Sequence, residues 1–190
     1  VKTAGSKAER RKLLRCGRRL AAFTLIAMAS AALTACPYSN DLPLSSPSEA
    51  VVDSSLPGRW KMQDPDTGQW VTMELMRFSE REYVAWSREP SEAKEKVVLY
   101  RLFVTPIENE RFLNIQELGR GVGRSWSFAR YRLSGDALSL RFLDDSLFSS
   151  QAFGSSDALR EFVLANLHDP RLYAGNDGTD SIMQWQRVDD

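Results

Sequence analysis

Histidine, cysteine and long apolar runs are all scarce in this sequence of 190 residues, and each scarcity removes a class of function. His168 is the only histidine, and the cysteines are Cys16 and Cys36. One imidazole without a second histidine or a cysteine cluster leaves no transition-metal site, and it supplies no Ser-His-Asp set. His168 falls at the end of an expected helix, where the dipole favours an imidazolium and a capping role. No Gly-x-Ser-x-Gly elbow occurs. Asp64-x-Asp66-x-Gly68 starts like a calcium loop, but its twelfth position is Leu75 where a bidentate Glu is needed, so it reads as a hairpin turn. Asp144-Asp145 reads as a solvated loop, since adjacent acids on a strand point apart. The chain is therefore expected to be non-catalytic, with no metal and no cofactor. No internal repeat is present.

Charge is also missing where it first seems plentiful. The chain holds 25 basic and 25 acidic residues. Removing the eight bases and one acid of residues 1–35 leaves 17 bases and 24 acids, a net charge of −7. A chain that is acidic beyond residue 35 and has no basic stripe is not expected to bind nucleic acid. The bases of residues 1–35 precede the apolar run Leu20 to Ala35, whose 16 residues include Thr24, Ser30 and Thr34. That is short of the roughly 20 apolar residues of a transmembrane helix, and the order of a basic region, a short apolar region and small residues is that of an export signal. Arg18-Arg19 raises a twin-arginine route, but the residues after it fit that pattern imperfectly, and Sec export is expected. Leu33-Thr34-Ala35-Cys36 resembles the lipobox of bacterial lipoproteins. The resemblance implies cleavage before Cys36, a diacylglyceryl thioether on its sulfur and commonly an acylated amine (palmitate among the usual chains). Two or three chains hold a protein on a membrane stably where one does not. It also implies a place in the bacterial cell envelope, with the periplasmic side of the outer membrane favoured in a Gram-negative organism because Pro37 is not the retaining aspartate. Cys16 would leave with the leader and Cys36 would carry lipid, so no disulfide is expected beyond it.

From Pro37 to Pro57 the chain is rich in Ser and Pro. Residues 36–56 are read as the lipidated Cys and a semi-extended tether, about 60 Å long if fully drawn out at about 3.1 Å per residue, that would hold the domain off the bilayer. Residues 57–190 are expected to form one domain of short alternating runs punctuated by turns. The strands expected are 59–63, 69–78, 82–87, 96–107, 112–117, 125–133 and 138–142. Lys96 to Ile107 is apolar on both faces, which predicts a barrel wall that is itself covered, or a central strand. Ser156 would cap a helix over 157–168, with Leu159, Phe162, Val163 and Leu167 as its apolar stripe. Arg171 to Ala174 and Asp180 to Val188 would make a closing hairpin. The fold class is thus mainly β, a small antiparallel barrel or sandwich of about 8–9 strands with one α-helix before the final hairpin.

Gly58-Arg59-Trp60 at the first strand resembles the Gly-x-Trp opening of lipocalin-like barrels. The resemblance implies that Trp60 plugs the closed end of a barrel and that an arginine from a late strand, Arg187 here, lies over it. A helix before the last hairpin departs from that family, whose helix follows the last barrel strand. The run Gly119-Arg120-Gly121-Val122-Gly123-Arg124 offers backbone N–H groups and two arginines that suit an anion-binding turn, or simply a hairpin tip. Three functions remain: a lipid-anchored barrel binding an apolar small molecule or lipid, for which Trp70, Trp86, Tyr100, Trp126, Phe128 and Trp185 are candidate lining residues; a protein-interaction module for envelope assembly or inhibition of a partner; and, least supported, an envelope enzyme.

Overall fold

The computed structural model describes residues 37–65, 67–89, 96–119, 123–148, 150–174 and 182–188. Nine strands and one α-helix appear among them: β1 (Ser39–Asn40), β2 (Gly58–Gln63), β3 (Trp70–Arg77), β4 (Tyr83–Glu89), β5 (Lys96–Ile107), β6 (Glu110–Leu118), β7 (Trp126–Ser134), β8 (Ala137–Phe142), α1 (Ser156–Ala165) and β9 (Ile182–Val188). Every strand from β2 onward pairs antiparallel with the next, and β9 returns to β2 through Arg59↔Val188, Trp60↔Arg187 and Lys61↔Gln186. The sheet is a closed barrel of eight strands, β2 to β9, and not a sandwich. Its turns follow local chemistry. Gly135 takes φ 57 in the two-residue link between β7 and β8, and Gly68 takes φ 69 in the β2–β3 turn that Asp64 closes by accepting from the Thr67 amide at 2.8 Å.

Alternation along the strands sorts side chains onto two faces. Inward-facing Trp60, Met73, Leu75, Tyr83, Leu102, Leu113, Tyr131, Leu138 and Trp185 belong to the core inside the barrel. The outward faces of β5, β6 and β7 carry Phe103, Phe112, Trp126 and Phe128, which form a second core with Leu159 and Val163 of α1. This is why β5 is apolar on both sides: one face lines the lumen and the other lies under a cover. The cover has two parts, α1 and the segment before β2.

That segment is the main departure from expectation. Residues 37–56 do not stand off as a spacer; they are packed along the outer wall. Leu44, Ala50 and Leu56 are buried, β1 pairs with the start of β7, and Val51 bridges Val104. Few apolar residues suffice because the barrel satisfies the polar groups: the Asn114 side chain accepts from the Leu44 amide at 2.7 Å, and the Ser45 and Thr105 hydroxyls lie 2.6 Å apart. Three smaller corrections apply. Residues 170–172 form a 3-10 turn begun by Pro170, so β9 closes the barrel instead of a hairpin with Arg171–Ala174. The helix is capped by Ser155, whose hydroxyl accepts from the Ala158 amide, and it ends at Ala165, before His168, which lies exposed beyond it. Asp144 is buried rather than solvated, and its carboxylate caps residues 145–147 by accepting from the Ser146 amide at 2.9 Å.

Candidate functional site: the barrel lumen

The two ends of the barrel are unlike. At one end β2, β4, β6 and β8 finish and β3, β5, β7 and β9 begin; at the other, β2 starts and β9 stops. The second end is filled. Trp60 is wholly buried there, its indole N–H donates to the Leu56 carbonyl at 3.1 Å, and Leu56, Leu75 and Tyr83 pack around it. The Arg187 guanidinium lies 4.2 Å from the centre of the Trp60 ring and donates to the carbonyls of Pro57 (2.9 Å) and Ser55 (2.6 Å). Structure and sequence thus bring Trp60 and Arg187 to facing positions on adjacent strands. The glycine two residues before Trp60 has its own reason: Gly58 sits at φ 150, and a Cβ there would meet Arg187 Nη1 at 2.2 Å.

A polar knot locks the same end. Arg111 donates to an Asp53 carboxylate oxygen at 2.6 Å, the Tyr131 hydroxyl donates to that oxygen at 2.9 Å, and the Ser55 amide donates to the other at 3.0 Å. The Tyr83 hydroxyl accepts from the Asp53 amide and donates to its carbonyl. Burial pushes the Asp53 carboxyl up, but the Ser55 amide, Tyr131 and Arg111 outweigh it and hold the group below the usual carboxylate range. Burial, with the Asp53 carboxylate second, raises the Tyr131 phenol. Sequence reasoning missed this knot, because single polar residues on separate strands leave no spacing signal.

The opposite half is hollow. A cavity of about 440 Å³ opens there, walled by Val71, Met73, Leu102, Ile115, Leu140 and Met183, with Tyr100 and Trp185 among the larger side chains. It persists because small inward residues, Ala85 and Ser87 on β4 and Ser127 on β7, occupy positions that large ones take at the filled end. Asp64, Thr67 and Pro37 line it as well, the last two exposed and so at the mouth. The Trp185 indole N–H is buried in this wall and has no hydrogen-bond partner among the described residues. A larger hollow of about 580 Å³ outside the filled end, beside Arg59, Arg77 and Arg187, is a broad surface depression and encloses nothing.

The aromatic residues expected to line a ligand site divide. Tyr100 and Trp185 face the lumen; Trp126 and Phe128 lie in the outer core; Trp70 and Trp86 sit on the outward face of β3 and β4. Of the glycine-arginine run, Gly119, Gly123 and Arg124 are described, and the Arg124 carbonyl accepts from the Gln116 side chain at 2.8 Å. Arg120, Gly121 and Val122 lie outside the described residues, as does Cys36. Among the described residues, no group of three His, Cys, Asp or Glu side chains is placed to hold a metal ion. No protein-family model, curated protein or solved structure matches this chain.

Proposed function

We propose that this protein is a non-catalytic, lipid-anchored binding protein of the bacterial cell envelope whose barrel takes up an elongated apolar molecule such as a fatty acyl chain. The observation that carries the reading is the hollow half of the lumen. Its volume of about 440 Å³ falls within the roughly 300–1,000 Å³ of small-molecule sites. Its lining is apolar apart from a few polar groups toward the mouth, which suits a ligand with a hydrocarbon body and a polar end. The anchor part rests on Leu33-Thr34-Ala35-Cys36 and is tested by labelled palmitate, which Cys36→Ser should abolish.

Native mass spectrometry of the purified protein tests the ligand directly, with displacement of an environment-sensitive apolar dye by a series of fatty acids. Each methylene placed in the lumen contributes about 0.8 kcal/mol, so affinity should climb about fourfold per added methylene until the lumen is full. Ala85→Phe, which fills the cavity from β4, should remove binding while the barrel stays folded. A flat chain-length series, or a variant that binds as well as the wild type, would dispose of the lumen as the site.

A further inference from the structure

The described part of the strap before β2 begins at the open end of the barrel. Pro37 forms a β-bridge with Asp144, and the Tyr38 amide donates to the Leu143 carbonyl at 2.8 Å. Pro37 is therefore fixed at the mouth of the cavity, which it helps to line. Cys36 is the residue before it in the sequence.

Most of the exposed large hydrophobic side chains among the described residues lie at the same end. Of the large hydrophobic side chains exposed among the described residues, Trp70, Val97, Leu99, Leu118, Ile182 and Met183 all sit in the first or last turns of strands at the open end. Met76 and Phe78 lie at the filled end, Val52 on the strap and Leu164 on α1. Leu99 and Leu118 are directly paired neighbours, and Trp70, 57% exposed, has the Lys61 ammonium 5.3 Å from its ring. Elsewhere the outward apolar residues of β5 to β7 are covered by the strap and α1. Indole and lysine on a rim of aliphatic side chains are the composition that settles at a bilayer's headgroup level.

We infer that the open rim of this barrel is a bilayer-docking surface, so that the lumen faces lipid rather than water and its ligand enters endwise from the membrane. The inference rests on the anchored, ligand-binding reading above and adds the orientation and the source of the ligand. A phospholipid bilayer is the occupant because Pro37, next in sequence to the proposed anchor, and the exposed apolar rim belong to one end of the barrel.

The test uses the full chain reconstituted from detergent into phosphatidylethanolamine–phosphatidylglycerol vesicles that carry a shallow doxyl-labelled lipid. Tryptophan fluorescence should be quenched, and Trp70→Phe should remove much of that quenching while the fold, followed by circular dichroism, is retained. A tryptophan placed at the opposite end by Phe78→Trp in the Trp70→Phe background should gain no lipid quenching. Equal quenching at positions 70 and 78 would overturn the docking, as would a Trp70 untouched by the lipid quencher. A Trp70 shielded from aqueous iodide yet untouched by doxyl lipid would mean a rim-to-rim pair of copies, which also overturns it. Absence of palmitate on Cys36 would defeat the anchor alone, and absence of any bound lipid would defeat the ligand reading alone. Neither result alters what the quenching comparison reports.

Discussion

Gly58→Ala is the most discriminating single change, because the structure says what the new methyl group would strike. The added Cβ would lie 2.2 Å from Arg187 Nη1 and 3.3 Å from its Cζ, at a backbone φ of 150 that L side chains rarely adopt. The backbone term is roughly 1–3 kcal/mol. Displacing the guanidinium forfeits a cation–π contact of about 0.5–2 kcal/mol. It also forfeits the bonds to Pro57 and Ser55, together about 1–2 kcal/mol since the arginine side chain remains 25% exposed. The sum is about 4 kcal/mol, a fall in Tm of about 10 °C for a domain of this size. Equilibrium urea denaturation followed by circular dichroism measures it, with unchanged m-values required for the comparison. Arg187→Ala alone should lose about 2–3 kcal/mol by the contact terms only. In the Arg187→Ala background the methyl has nothing to strike, so Gly58→Ala should then carry the backbone term alone. Losses that add to within about 0.5 kcal/mol would refute the claim that the glycine makes room for the arginine.

Asp53→Asn should lower stability at neutral pH by about 1–2 kcal/mol, since hydrogen bonds to a charged group are replaced and the Arg111 ion pair is half-exposed. The folded-state pKa of Asp53 lies below its unfolded value, so the wild type's advantage is full above about pH 5 and fades as pH falls through the folded-state value. Parallel curves for the two proteins from neutral to acid pH would remove Asp53 from the account. Asn114→Ala leaves the buried Leu44 amide without its acceptor, while the Thr105 hydroxyl keeps Ser45, at about 1–3 kcal/mol. Its expected signature is faster proteolytic cutting within residues 41–50, read by mass spectrometry, before the barrel itself is cleaved.

The strands were legible where two faces repeat. Lys96–Ile107 was read to its terminal residues because apolar side chains on both faces have only one explanation, a wall with a lumen on one side and a cover on the other. Gly58 and Trp60 were readable as a pair, though the reason for the glycine appears only with Arg187 in place. What covers the wall was not readable. Residues 37–56 have the composition of a spacer, and their order comes from Asn114, Thr105 and the outer face of β5 to β7, all distant in sequence. Leu172 and Tyr173 read as strand residues because burial on the outer core gives the same apolar pair as a short strand. The hollow half of the lumen is not legible in the sequence, since alternation locates inward side chains without saying how far they fill the space.

Closure of the first barrel strand on the last has a consequence for the order of folding. The bonds from Arg187 to Pro57 and Ser55 span 130 and 132 residues, and those from the strap to Asn114 and Tyr131 span 70 and 78. Contacts this distant are slow to form because a long loop must be closed before they repay it. The strap, synthesised before the barrel strands, can lock only after β6 and β7 exist to receive it, and the barrel can shut only when β9 arrives. Until then β2 and β8 present unpaired edges. A chain stopped before Ile182 would keep every lumen-lining residue except Met183 and Trp185, yet it would have two open edges and a strong tendency to aggregate.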